Sequence, residues 1–191
     1  MALAALLTLA DSRLPAGGHT HSGGVEQAIA AGIVHDPGSL TTFLRRRLHT
    51  SGAVAAGLAA AACSGGDLRR LDAEADARTP SPALRAASRQ QGRGLVRVGR
   101  RAWPSPLWDA LPAAPHHPVA LGVAAAAGGL TARDAAAAAA YLSVRGPATS
   151  ISIRWARVRP SGPVEYRPTA NRWLRSTGCS GTAVCTMANS R

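Results

Sequence analysis

The stretch "SPALRAASRQQGRGLVRVGRRAW", residues 81–103, decides the fold class. Leu84, Ala87, Gln91, Leu95, Val98 and Ala102 advance by 3, 4, 4, 3 and 4 residues. That recurrence is one face of an α-helix, so these residues are expected to form a buried seam. Gly92, Gly94 and Gly99 interrupt the same helix, and each weakens it by roughly 1 kcal/mol relative to Ala. A helix that keeps three glycines implies a neighbour packed tightly against it. Arg85, Arg89, Arg93, Arg97 and Arg101 follow at every fourth position. Such a row drifts about 40° per step and spirals round the helix, so it cannot track phosphates along one face. The plain reading is solvated arginine flanking a buried stripe; the alternative is an Arg-lined partner surface.

Composition points the same way. The chain has 191 residues, long enough for one domain with a real core. Of its first 144 residues 37 are Ala, while the whole chain holds one Phe and two Tyr. Ala is the best helix former. The expected architecture is therefore all-α: a single-domain compact helical bundle of closely approaching helices with few large anchors.

The rest of residues 1–149 fits that reading. Ala2 to Leu9 reads as a short helix ending before Pro15. Val25, Ala28, Ile29 and Ile33 recur at helical spacing, with Ser22 or Gly23 at the start. After the Pro37-Gly38 break, a long apolar-rich helix from Ser39 or Thr41 to about Cys63 carries Phe43, Leu44, Leu48, Val54 and Leu58. "DLRRLDAEADART", residues 67–79, reads as a polar, exposed helix. "WPSPLWDALPAAPHHP", residues 103–118, reads as a kinked connector anchored by Trp103 and Trp108. Val119 to Ala127 and Ala132 to Val144 read as two further helices, the second capped by Thr131.

Net charge is +12, all of its cations arginine, with no Lys. It is unevenly placed: residues 1–144 hold 14 Arg against 9 acids, and residues 145–191 hold 8 Arg against Glu165 alone. Residues 150–191 are accordingly expected to be a separate, basic, poorly ordered tail. "SISIRWARVRPSGPVEYR", residues 150–167, alternates at Ile151, Ile153 and Trp155 like a hairpin strand, but nothing before it calls for one. A shifted reading frame beginning between Val144 and Ser152 accounts for the change, since GC-rich DNA read out of frame yields Arg, Pro, Ser, Cys and Trp. The rival account is a functional basic tail. Cys63, Cys179 and Cys185 are too few for a disulfide framework. The opening "MALAALLTLADSR" lacks the basic n-region of a signal peptide, and the Ala-rich stretches are too short or too interrupted by charge to span a bilayer. A cytoplasmic protein is expected.

Chemistry-bearing residues gather in "DSRLPAGGHTHSGGVEQAI", residues 11–29. His19 and His21, with Cys63, His35, His49 or the His116-His117 pair, offer metal-ligand types, but no H-x3-H helix pair or CxxC occurs. The glycines precede a helix, as in phosphate-binding loops, yet the P-loop pattern and its Lys are absent. Ser22 with His21 and Glu26 has the residue types of a nucleophilic site without the strand-turn-helix elbow. Read plainly, the loop is a packed, glycine-rich helix junction.

The ordered residues of this loop also resemble the opening of the urease accessory protein UreF family, D-S-x-x-P-x-G-x-x-x-H-S-x-G-x-E after a short Leu-rich helix. The matching residues are Asp11, Ser12, Pro15, Gly17, His21, Ser22, Gly24 and Glu26. "DARTPSPALRAASRQQGRGLVR", residues 76–97, is similar to the family's second signature, carrying Arg85, Arg89, Gln91 and Gly92. Residues 116–149 resemble its downstream helices. The resemblance covers about Ala5 to Ala148, which makes residues 1–149 a UreF-like helical domain. It implies a non-enzymatic, homodimeric, all-helical protein that joins a UreD/UreH-type accessory protein and the GTPase UreG on apo-urease. There it supports GTP-dependent nickel delivery, with no cofactor of its own, no metal-ligating or catalytic residue, no nucleic acid and no membrane. The twelve residues just named are then expected to form partner-binding surface. Two other function classes remain on residue chemistry: a basic helical module for nucleic acid, and a small nickel carrier using His19 and His21. The family's C-terminal part helps to dock the UreD/UreH-type partner, so a frame-shifted tail would leave a non-functional product.

Overall fold

The computed structural model describes residues 2–11 and 22–158. The expectations placed on Ser12, Pro15, Gly17, His19 and His21, and on residues 159–191, lie outside the described residues.

Among the described residues the fold is helical throughout. Its elements are α1 (Ala2–Ala10), α2 (Val25–Ala30), α3 (Pro37–Arg47), α4 (Ala53–Cys63), α5 (Leu68–Ala77), α6 (Pro82–Ala102), α7 (His117–Ala127) and α8 (Ala132–Val158). A π-helical turn, Leu48–Gly52, joins α3 to α4, and a 3-10 turn, Pro106–Ala110, lies between α6 and α7.

Helix starts follow from side-chain caps. Asp36 and Ser39 form a reciprocal capping box at α3: the Ser39 N–H donates to Asp36 Oδ1 at 2.6 Å, and the Asp36 N–H donates to Ser39 Oγ at 3.0 Å. Pro37 is therefore the first residue of the helix instead of a break before it, a place where its missing N–H loses nothing. Asp67 caps α5, Ser81 caps α6, and Thr131 with Asp134 caps α8. The start of α2 differs from expectation. Its N-cap is Gly24, in the left-handed region at φ 88°, without a side-chain cap. The helix also stops after six residues, because Gly32 at φ 71° lets the Ile33 N–H turn back to the Ala28 carbonyl. Val34 is then buried, and Ile33 is 63% exposed.

At the centre lies α7, where Val119 to Ala125 are all buried. Helices α4, α6 and α8 surround it, with α1 and α5 at the margins. The approach of α4 is close because Gly122 has no side chain: a Cβ there would overlap the Ala59 carbonyl and crowd Ala62. Small residues continue the contact through Ala135, Ala138 and Ala139 of α8. The core is thus built of tightly approaching backbones, as the Ala-rich composition implies, with Trp108, Leu95 and Leu121 as its large anchors.

A second cluster joins Val25, Ala28 and Val34 to Ile151. Ile151 is 1% exposed, so the folded unit runs past Val144 and past residue 149. Helix α8 continues through the stretch that alternates like a strand.

Candidate functional site

Two polar assemblies stand on this frame. One is centred on the helix of residues 82–102, the other on the ends of the glycine-rich loop. A groove of about 350 Å3 extends between them, bordered by Leu84, Ser88, Gln91 and His117 towards one assembly and by Asp11 and Gly23 towards the other.

The first assembly exists because the α6 seam turns. Ala87 and Leu95 are buried as expected, but Leu84 is 36% exposed and Ala102 is exposed, while Gly92 and Gly99 are buried in their place. The glycines are the contact. A Cβ on Gly92 would overlap the carbonyl of Pro115, and one on Gly99 would overlap the Trp108 ring. The close approach at Gly92 brings the 114–117 segment against Ser88 and Arg89.

Arg89 Nη1 donates to Asp72 Oδ2 at 3.0 Å, and its Nη2 donates to Asp76 Oδ2. Asp72 is 7% exposed and also accepts the His116 N–H at 2.7 Å. Its burial corrects the reading of α5 as an exposed helix: a carboxylate inside is tolerated because both of its oxygens accept, one from Arg89 and the other from the His116 N–H. His116 is 1% exposed, with Nε2 at 2.9 Å from Asp76 Oδ1 and Nδ1 at 3.0 Å from Ser88 Oγ. The carboxylate accepts, so Nε2 donates, and Nδ1 then accepts the Ser88 hydroxyl. Ser88 Oγ in turn accepts the His117 N–H at 3.2 Å.

Electrostatics follow this bonding. The hydrogen bond from His116, joined by those from Arg89, holds the Asp76 carboxyl below its ordinary range against the desolvation that raises it. Desolvation works against the Arg89 guanidinium, but its bonds to Asp72 and Asp76 outweigh it and raise the pKa. His117 lines the groove with part of its surface reached by solvent, and the packing around it lowers its pKa to about 4.

Ser88, His116 and Asp76 have the residue types of a nucleophile, base and acid, yet the arrangement is a brace. The serine oxygen is engaged by both His116 and His117, the acid is held by Arg89, and the imidazole is sealed from solvent. Arg85 completes it by bonding the carbonyls of Thr79 at 2.7 Å and Pro80 at 3.0 Å, where the chain leaves α5. Local spacing shows none of this, because the partners of Arg89 lie 13, 17 and 25 residues away.

The second assembly holds Ala10 and Gly23, described residues on either side of the glycine-rich stretch. Arg145 Nη1 donates to the Ala10 carbonyl at 2.7 Å, at the C-terminal end of α1, where the helix dipole favours a cation. The same guanidinium carbon lies 5.7 Å from the centroid of the Tyr141 ring. Arg47 Nη1 donates to the Gly23 carbonyl at 2.6 Å, and its Nε donates to the Ser143 carbonyl at 2.7 Å. Burial lowers the Arg47 pKa. Gly23, at φ 60°, is packed so closely that a Cβ would lie 2.8 Å from Arg47 Nη2. Ser22 precedes the N-cap of α2, outside the helix, so it does not share a helical face with exposed Glu26.

The structure places Gln91 on the groove wall, puts Arg85, Arg89 and Gly92 in the contacts of α6 with Thr79, Asp72, Asp76 and Pro115, and leaves Asp11, Ser22, Gly24 and Glu26 beside the glycine-rich stretch. Sequence reasoning missed Asp72, Asp76, Ser88, Arg47 and Arg145. The Asp-x3-Asp pair on α5, facing arginines at four-residue spacing, was the available signal for the first two. Among the described residues no group of three or more His, Cys, Asp or Glu is placed to hold a metal. Of the metal-ligand types, His35 and His49 are exposed on the surface, and Cys63, whose pKa desolvation and then Asp134 raise, donates to the Leu130 carbonyl. No helix among the described residues is long and apolar enough to cross a membrane.

Comparison with known proteins places this arrangement. The UreF family model matches residues 34–155, which include the first assembly, Arg47 and Arg145 of the second, and most of α8. The chain is 55% identical over 152 residues to the urease accessory protein UreF of Mycolicibacterium vanbaalenii, covering 78% of this chain and 71% of that protein. It is 55% identical over 150 residues to its namesake in Mycobacterium marinum, with the same coverage. Against the protein of that name in Mycobacterium tuberculosis it is 50% identical over 147 residues, covering 76% and 70%. No solved structure matches. The chain belongs to the UreF family.

Proposed function

We propose that this protein serves urease maturation as an accessory chaperone and not as an enzyme, working in the cytoplasm as a homodimer. In this reading it joins a UreD/UreH-type accessory protein and the GTPase UreG on apo-urease and supports GTP-dependent delivery of nickel, the cargo of the assembly. The identity of 55% over most of the chain to a urease accessory protein carries the reading. The site geometry supports it: the polar residues brace helices, and what they leave to solvent is a shaped surface flanked by a groove.

Within that surface we assign two kinds of role. Asp11, Ser22, Gly24 and Glu26, with Ser12, Pro15, Gly17 and His21 of the same motif, form partner contacts, and Gln91 extends them along the groove. Arg85, Arg89 and Gly92 act one step back, by fixing the helices that present those contacts. The side chain of Ile151 packs with Val25, Ala28 and Val34, so the folded helix that presents these contacts includes that residue.

Mixing the purified chain with the UreD/UreH-type protein, the GTPase and apo-urease tests the reading by size-exclusion chromatography. Co-elution of the chain with at least one of them is expected. Elution of a folded chain alone from every mixture would refute it.

A further inference from the structure

We propose that α2, α3 and the part of α8 beyond Pro147 form one hinged lobe, which swings on the bundle about two aligned helix flaws and is latched by Arg47. The proposal does not depend on the maturation reading.

Two long helical rods carry the chain between bundle and lobe. Residues 37–63 stay helical through α3, the π turn and α4, since Arg47, Leu48 and Ala53 all keep right-handed helical angles. Helix α8, Ala132–Val158, is the second rod. Each is flawed part-way along. In the first the flaw is the π turn Leu48–Gly52. In the second it is Pro147, whose missing N–H leaves the Ser143 carbonyl without its helical donor. Prolines and π turns are the usual places where a helix bends. The two flaws lie side by side, because a Cβ on Gly52 would stand 2.7 Å from Ser143 Oγ. Two bending points at one level define one axis.

The buried side chains divide at that same level. Before its flaw the first rod gives Leu40 and Phe43 to the cluster of Val25, Ala28 and Val34; after it, the rod gives Ala55 and Ala59 to the main core. Helix α8 gives Ala135, Ala138, Ala139 and Leu142 to the main core, and beyond Pro147 it gives Ile151 to the smaller cluster. Among the described residues, neither cluster takes a member from the far side of a flaw. The lobe is also lightly held: α3 has no fully buried residue, and α2 and α3 rest chiefly on α8. A unit with its own apolar cluster and few contacts to the rest moves separately at low cost.

Arg47 locks the axis. It is the last residue before the π turn, and its Nη1 donates inside the lobe to the Gly23 carbonyl. Its Nε reaches across the axis to the carbonyl of Ser143. A swing pulls that donor away and leaves the carbonyl bare, which favours the closed position. The groove feels the same motion. Gly23, Arg47, Pro147 and Thr149 line it from the lobe, and Leu9, Leu58 and Leu142 line it from the bundle. Movement of the lobe therefore changes the width of the groove, and whatever fills the groove shifts the lobe in return.

Spin-label distances in the full-length chain test the swing. Cys63, Cys179 and Cys185 are replaced by Ser. One label pair, Thr41→Cys with Arg69→Cys, joins exposed positions of α3 and α5; the other, Arg69→Cys with Ala137→Cys, lies wholly on the bundle. With Arg47 in place the α3–α5 distances should form one narrow population. Arg47→Gln should raise a displaced population by about tenfold or more, since two bonds from a charged donor are lost. The bundle pair should not change, and circular dichroism should show wild-type helicity. Arg47→Lys, which keeps the charge but loses the fork, should give a smaller gain of the same kind. Adding Pro147→Ala to Arg47→Gln should reverse part of the gain, because the restored N–H closes on the Ser143 carbonyl. One narrow α3–α5 population in both Arg47 variants would overturn the proposal. So would equal broadening of both label pairs, or a displaced population indifferent to Pro147→Ala. Loss of helicity in step with displacement would also overturn it, since that marks a lobe that melts instead of swinging.

Discussion

Arg47 Nε donates to the carbonyl of Ser143 at 2.7 Å, the acceptor that would belong to the N–H of residue 147 in an unbroken α-helix. Residue 147 is Pro, which has no N–H to give. The side chain of α3 thus replaces the missing helical donor of α8, and with its Nη1 it holds Gly23, where the chain enters α2.

This replacement predicts a thermodynamic coupling. Arg47→Gln should destabilise the protein by about 2 kcal/mol, since bonds to a charged donor are each worth roughly 1.5–3 kcal/mol. In a Pro147→Ala background the backbone N–H restored at that position can close on the Ser143 carbonyl, and the same change at Arg47 should cost about 1 kcal/mol less. Urea denaturation of the four proteins in the double-mutant cycle measures the difference; strict additivity would show that Arg47 does not compensate for the proline.

Glycines offer a contrast. Gly92→Ala should destabilise by about 2 kcal/mol or more, because the clash is with the Pro115 backbone, which cannot turn away. Gly57, in the exposed part of α4, has nothing within 4 Å of a Cβ. Gly57→Ala should therefore stabilise by about 0.5–1 kcal/mol. Thermal melts of the two variants are expected to move in opposite directions, and a shared direction would contradict the packing.

Removing the buried carboxylate is expected to be severe. Asp72→Asn keeps an acceptor for the His116 N–H but turns an amide towards Arg89 or loses its charge beside it, at about 2–4 kcal/mol. Changing exposed Glu74 to Gln removes only a surface pair with Arg78 and should cost less than about 0.5 kcal/mol. Chemical denaturation of both variants checks the ranking.

A pH dependence follows from His117. Its folded pKa is about 4 against an ordinary value of 6.5, so between those values the unfolded chain binds more protons. Stability should be fully present above about pH 6.5 and decline as pH falls towards 4, by roughly 1–3 kcal/mol given the partial solvent access of the ring. His117→Gln should flatten that slope and leave the further loss at more acid pH, where Asp76, held below the ordinary carboxylate range, takes up its proton. A wild-type slope retained in His117→Gln would place the titrating group elsewhere.

These features mark where sequence reasoning ended. Periodicity identified α6 almost to its boundaries, and the three glycines announced a close neighbour, found at Pro115 and Trp108. The sequence reading ended α8 at Val144, where the composition turns basic and poor in Ala; the helix runs on through Pro147, whose missing donor Arg47 supplies from across the bundle. The polar pattern of residues 67–79 hid a buried Asp72, since a carboxylate looks the same in sequence whether it faces water or Arg89. For the site, Arg85, Arg89, Gln91 and Gly92 were legible as a motif, but their bracing role depends on tertiary partners. The π turn at Leu48–Gly52 left no trace in composition or spacing.

The central claim is that this chain supports nickel loading of urease. Its most direct test is the nickel content of urease purified from a strain that lacks its own UreF protein and expresses residues 1–191. We predict nickel well above that of the same strain carrying an empty vector. A folded, abundant chain that leaves urease nickel at the empty-vector level would contradict the account.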